Sequence, residues 1–200
     1  MSEPMKKPEQ NPESYSPGEK PVIITLVEKK IESPPQSPAI EIYRARRESY
    51  KVLGMENKIS NDDRNPNCGE CWGKYFDSGT HEKVVPFMAE TPLLGVFCQS
   101  DPGYYNYLIG AVVSGVDEAP EGMFLAEFPA TDYLVVTHEW VKSEDEANAQ
   151  IGRLVGHAHG PDVMPDGYEK YTVPVMFIES YNNSPEKSRF EVWLPIREKA

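Results

Sequence analysis

Cysteine is scarce, at three in 200 residues. An odd number this small builds no disulfide framework, so the fold has to rest on a hydrophobic core, and the usage fits a reducing compartment. A cytoplasmic protein is therefore expected, in which the sequon Asn182, Asn183, Ser184 carries no sugar. No run of about 18 apolar residues occurs, and the start, MSEPMKKPEQ, lacks the apolar stretch of a secretory signal, so neither a membrane span nor export is expected. Basic residues are outnumbered, 20 Lys and Arg against 32 Asp and Glu, which gives a net charge of -12. That field repels phosphate backbones and argues against direct nucleic-acid binding. The densest basic cluster, Arg44, Arg46, Arg47 and Lys51, is too short to reverse it. Also missing are G-x-S-x-G, a phosphate-cradling glycine loop and G-x-G-x-x-G, which weighs against serine hydrolases, nucleotide-triphosphate users and dinucleotide enzymes. No cofactor is implied.

What is present reads as one globular domain behind a tail. Residues 1–38 are rich in Pro, Glu, Lys and Ser and are expected to be disordered apart from a strand-like patch at Val22–Val27. The compact domain is expected over residues 39–200. Within it a strand, helix, strand, strand pattern occurs twice. The first half comprises a strand-like stretch Ile40–Ser60, a helix around Glu70–Asp77, and strands Leu93–Gln99 and Tyr107–Ser114. The second comprises the β-prone stretch Met123–Val141, a helix capped by Ser143 and running through Ile151, Leu154 and Val155, and strands Tyr171–Ile178 and Arg189–Ile196. The expected class is α+β: a duplicated β-α-β-β repeat forming a curved antiparallel sheet with two helices and a central ligand cleft. An ordinary α+β sandwich with its helices on one face satisfies the same periodicity.

Several short strings, taken in order, add specificity. Tyr50–Met55 (YKVLGM), Cys71–Phe76 (CWGKYF), Leu94–Phe97 (LGVF) and Tyr107–Gly110 (YLIG) resemble the first half of the GyrI-like small-molecule-binding domain family. Phe128–Tyr133 (FPATDY) and Phe190–Ile196 (FEVWLPI) resemble strands of its second half. The resemblance spans about residues 39 to 198 and implies a twofold, SHS2-like duplication in a bacterial protein with a cleft at its centre. The family includes effector-binding domains of AraC-type and MerR-type multidrug-responsive transcription regulators, gyrase-inhibitor-like proteins, and hydrolases of cyclopropane-bearing toxins. The proline-rich residues before the domain offer no helix-turn-helix, so a stand-alone effector-binding domain is expected.

On the terminal strand, alternation places Glu191 and Trp193 on one face and Phe190, Val192 and Leu194 on the other. If the first face lines the cleft, Glu191 is a buried acid that an organic cation would keep charged; alternation alone also allows a solvated face. Aromatic rings would complete a cation cage. The candidate ligand-binding set is Glu191, Trp193, Trp72, Tyr75, Phe97, Tyr107, Phe128, Tyr133 and Trp140. Cys68 and Cys71 form a lone C-x-x-C with no second pair to complete a zinc site, so no metal is expected. His157 and His159 read as exposed loop residues.

These readings favour a module that binds a cationic or aromatic, drug-like or toxic small molecule, rather than an enzyme. Two alternatives stand beside it. One is hydrolysis of a strained electrophile, with Glu191 polarising water and Tyr133 or Tyr171 donating a proton. The other is a regulatory protein that engages a partner such as gyrase through its acidic surface. The leading reading predicts that Glu191→Gln weakens uptake of a cationic amphiphile in a tryptophan-fluorescence titration while a neutral isostere is unaffected.

Overall fold

The computed structural model describes residues 23–31, 37–62, 67–99, 102–172 and 174–199, with the backbone alone at 23–31 and 99. Of the tail expected at residues 1–38, residues 1–22 and 32–36 lie outside the described residues. Ten strands join one antiparallel sheet, whose hydrogen-bonded order is β1 (Ile23–Ile31), β2 (Ile40–Arg47), β7 (Thr131–His138), β10 (Ser188–Glu198), β9 (Val175–Asn183), β4 (Met88–Gln99), β5 (Tyr104–Val113), β3 (Tyr50–Ser60) and β6 (Phe124–Phe128). The short β8 (Tyr168–Lys170) pairs with the end of β10.

The duplication is explicit in that order. β3, two helices, β4 and β5 form one unit, and β7, two helices, β9 and β10 form the other; they meet where β9 pairs with β4. The outer strands are exchanged. β2 precedes the first unit in the chain yet pairs with β7 of the second, while β6 precedes the second unit yet pairs with β3 of the first. Two stretches read as single strands in the sequence are therefore each broken. Ile40–Ser60 divides at Glu48 and Ser49, and Met123–Val141 divides at Pro129 and Ala130, because at each point the chain crosses from one unit to the other.

The first expected helix is joined by a short second helix beyond its end, and the second expected helix is broken into two. α1 (Cys68–Asp77) is capped by Asn67, whose side chain accepts the Glu70 N–H at 3.2 Å, and it ends before Gly79, whose φ of 69° needs a residue without Cβ. α2 (Thr80–Val84) and a 3₁₀ turn at Val85–Phe87 follow. In the second unit Ser143 caps α3 (Glu144–Asn148) by accepting the Glu146 N–H at 3.2 Å, and α4 (Ile151–Ala158) lays Ile151, Leu154, Val155 and Ala158 on the sheet. His157 falls in the last turn of α4 rather than in the loop expected from the sequence, because that helix continues to Ala158.

The helices lie on one face of the sheet. Against them pack Ile40, Ile42, Leu134, Val136, Phe190, Val192 and Leu194 in one unit, and Phe97, Tyr107 and Ile109, covered by Tyr75 of α1, in the other. Among the described residues no helix covers the opposite face, and it curls until β3 and β7 meet across it. There Tyr43, Tyr50, Val52, Leu94, Val96, Leu108, Phe128, Tyr133, Val135 and Trp193 form a single buried cluster. Tyr50 of β3 and Tyr133 of β7 bring their hydroxyls to 3.1 Å, and the Tyr50 ring lies 5.2 Å from that of Phe128. A tight crossing assists the curl at the pair Gly54 and Gly110, where a Cβ on either residue would collide with the partner strand's backbone.

His138, at the end of β7, is fully buried. Its Nε2 accepts the Phe190 N–H at 3.1 Å and its Nδ1 lies 2.6 Å from the Glu139 carbonyl, a pair of bonds that only the neutral ring with Nδ1–H can make. Burial holds its pKa below the ordinary 6.5, with Arg189 and Arg153 acting in the same direction. The folded state thus binds fewer protons than the unfolded chain as pH falls through the ordinary histidine range. The stability contributed by neutral His138 is complete above that range and is lost towards the lowered value. The melting temperature is expected to fall between about pH 7 and pH 5, and to fall less steeply in His138→Gln; identical slopes for the two proteins would contradict this assignment.

Candidate functional site

The strand VMFIESYNN contains one acid among apolar and aromatic residues. Alternation sends Phe177, Glu179 and Tyr181 to the helix-covered face, on the strand that forms the seam between the two units. Glu179 is 7 % exposed. Its neighbours across the ladder are Val192 of β10 and Gly95 of β4. Gly95 decides what can reach it. A Cβ at that position would lie 2.5 Å from the Tyr107 hydroxyl and 2.8 Å from the ring, so the bare glycine is what allows Tyr107 of β5 to extend across β4. The Tyr107 hydroxyl then donates to Glu179 Oε2 at 2.7 Å, and Tyr181 donates to the same oxygen at 3.3 Å.

α1 supplies the cover. The Trp72 indole N–H donates to the Tyr107 hydroxyl at 2.8 Å, and its ring stands edge-on to Tyr181 with centroids 4.7 Å apart. Phe177 stacks on Phe97 at 4.1 Å, Phe97 lies 4.3 Å from Tyr107, and His159 meets Phe177 edge-on at 5.3 Å. Among the described residues no Lys or Arg forms an ion pair with Glu179. Burial outweighs the two hydroxyl bonds and holds the Glu179 carboxyl above the usual carboxylate range. The same burial, beside a carboxylate, pushes the Tyr107 and Tyr181 hydroxyls well above the ordinary phenol value, so both remain donors.

Glu191 occupies the other face. It pairs with Ser180, one residue beyond Glu179, so the two carboxylates sit on opposite sides of the sheet. Trp193 lies beside it as alternation requires, donating its indole N–H to Glu191 Oε2 at 2.8 Å. Tyr43 donates to Oε1 at 3.3 Å, and Arg189 Nε stands 3.3 Å from that same oxygen. Arg189 is held in turn by the Thr137 hydroxyl at 2.7 Å and by Glu41 at 3.5 Å. The Glu191 charge therefore has a built-in counter-ion, and Glu179 has none among the described residues.

The nine residues proposed from the sequence divide along the same line. Trp72, Tyr75, Phe97 and Tyr107 gather on the helix side, near Glu179. Trp193, Phe128 and Tyr133 belong to the core of the bare face, with Glu191 beside them. Trp140 joins neither group. It is 44 % exposed, with the Lys187 ammonium 4.5 Å from the centre of its ring. Nor do the tyrosines considered as proton donors serve Glu191: Tyr133 turns its hydroxyl to Tyr50, and Tyr171 is exposed under Arg197. Cys68 and Cys71 lie on α1, and burial raises the pKa of Cys71, the reverse of an activated thiolate. A cavity of about 470 Å³ lies between α4, at Gly152 and Gly156, the loop at Pro161 and Ile42 of β2, and Glu179 does not line it.

Sequence reasoning missed Glu179 and Tyr181 because it ended this strand at Ile178, five residues before its end at Asn183. Continuing the alternation by three residues would have placed both on one face with Phe177.

Residues 45–196 match the family described as integron-associated effector binding protein. The chain belongs to that family. Comparison with curated proteins returns no match. Among solved structures, that of SAV2435 bound to tetraphenylphosphonium is similar, with a TM-score of 0.61 and 13% identity over 78% of this chain and 94% of its own. A protein of Staphylococcus aureus MU50 assigned to bacterial transcription regulation gives 0.60 and 13% over 78% and 98% of the two chains. An integron cassette protein from the mobile metagenome of Vibrio cholerae gives 0.52 and 13% over 78% and 95%. At these identities the likeness is one of fold, and it bears out the GyrI-like resemblance and the curved, mainly antiparallel α+β sheet. As an effector-binding family member the chain is a small-molecule-binding domain, and among the described residues no helix is long and apolar enough to cross a membrane.

The role given to Gly95 is open to direct test. Gly95→Ala is expected to displace the Tyr107 ring, break its bond to Glu179 and cost about 1–3 kcal/mol of stability by overpacking. Chemical denaturation measures the loss, and a changed Trp72 emission reports that its hydroxyl partner has moved. Wild-type values for both would show that the close approach constrains nothing.

Proposed function

We propose that this chain takes up a cationic or amphipathic small molecule beneath α1, with Glu179 as the anionic floor and Trp72, Phe177 and Tyr181 as aromatic walls. One observation carries the reading: Glu179 is a buried carboxylate with no counter-ion among the described residues, walled by rings. A carboxylate in that position favours any ligand that brings the missing positive charge, and a desolvated cation over aromatic faces gains about 2 kcal/mol more. Support also comes from SAV2435, a fold relative whose structure holds an aromatic cation. Trp72 is half-buried and is the ring that has to swing aside to admit a ligand. Glu191, already neutralised by Arg189, then serves the packing of the bare face.

A titration of tryptophan emission with tetraphenylphosphonium tests this on the wild type, Glu179→Gln and Glu191→Gln. Saturable quenching is expected in the wild type, weakened about tenfold or more by Glu179→Gln, with Glu191→Gln altering stability more than affinity. The reverse ranking would return the site to the bare face. Affinity is also expected to decline as pH falls through the raised range of the Glu179 carboxyl, since only the ionised form pairs with a cation. Following the ligand by mass in the same samples separates uptake from turnover, because the bond from the Tyr107 hydroxyl to Glu179 also has the form of an acid–base pair.

A further inference from the structure

Resting on the reading of Glu179 as the cation site, we infer that the cation it takes carries an N–H donor: a protonated amine or amidinium joined to an aromatic group. The two oxygens of the Glu179 carboxylate are used unequally. Both tyrosine hydroxyls converge on Oε2, at 2.7 Å from Tyr107 and 3.3 Å from Tyr181, and the Trp72 indole is spent on the Tyr107 hydroxyl. Oε1 accepts no hydrogen bond from any described residue. It is not sealed in, because the buried side-chain oxygen lacking a partner among the described residues is Asn106 Oδ1. The site thus offers an acceptor that no described residue fills, and a ligand that covers it and displaces water from it is favoured when it brings a donor in exchange.

A quaternary ammonium or phosphonium centre brings charge wrapped in alkyl or aryl groups. It satisfies the coulombic demand and leaves Oε1 without a proton. An N–H⁺ centre meets both demands with one charge-assisted hydrogen bond, about twice as strong as a neutral one. The aromatic part follows from what surrounds the carboxylate: Trp72 lies against Tyr181, and Phe177 stacks on Phe97, so the molecule that parts these rings has to replace ring contacts.

Isothermal calorimetry near neutral pH on the full chain compares protonated naphthylmethyl-dimethylamine with its N-methyl quaternary salt, which differ by one methyl group and one N–H. The wild type is expected to hold the protonated amine about tenfold tighter or more, the value of a hydrogen bond to a charged group. Glu179→Gln should weaken the amine and remove most of that preference. Equal or tighter binding of the quaternary salt by the wild type overturns the donor inference, and does so whether or not the variant folds. If Glu179→Gln then weakens both ions, the cation site at Glu179 stands without the donor rule. A preference that survives undiminished in Glu179→Gln assigns it to methyl bulk and overturns the inference as well. Affinities that Glu179→Gln leaves untouched, or no heat from either ion, refute the cation site itself, and the donor rule falls with it.

Discussion

An acid buried under aromatic rings, with no cation beside it among the described residues, is the constraint around which this site is arranged. Glu179 is kept in place by hydroxyl donors rather than by an ion pair, and the stronger of those donors reaches it only because Gly95 has no side chain. Such an arrangement is costly in the unliganded protein, where the carboxyl rests above its ordinary pKa range. The cost is also what makes the site selective. A ligand of the right charge relieves a penalty already present in the fold, so part of the affinity is stored before it arrives. Glu191 shows the contrasting solution on the same pair of strands: there Arg189 is part of the structure, and the acid becomes a packing element.

Much of the architecture was legible in the sequence, for identifiable reasons. Alternation over Phe190–Ile196 and the Ser143 cap are local signals, and local signals survive into the fold: Glu191 and Trp193 do share a face, and Ser143 does open a helix. The twofold pattern was visible because each unit repeats the same order of elements. What the sequence did not display was which face would carry the helices. Alternation assigns residues to two faces without saying which is covered, and so Glu191 drew the attention that the geometry gives to Glu179. The breaks at Glu48 and Pro129 were passed over because β-prone residues resume two positions on, although neither Glu-Ser nor Pro-Ala favours a strand.

The candidate rings illustrate the same limit. Trp72, Phe97 and Tyr107 come together because three separate elements place them over one patch of sheet, a long-range outcome that no window of sequence contains. Phe128 and Tyr133, equally aromatic and equally buried, close the curled face instead. Residue type reports that a ring will be buried; only strand order reports against what.

The exchanged strands β2 and β6 have a mechanical consequence. Each unit borrows its edge from the segment that introduces the other, so the two are interlocked and neither can swing away as a rigid half without tearing a ladder apart. A binding seam in a duplicated protein is often imagined as a pair of jaws. Here the jaws are sewn together at both outer ends, and the compliance needed to admit a molecule has to come from the short, broken helices laid over the seam. The sheet is the anvil, and the helices and their side chains are the moving parts.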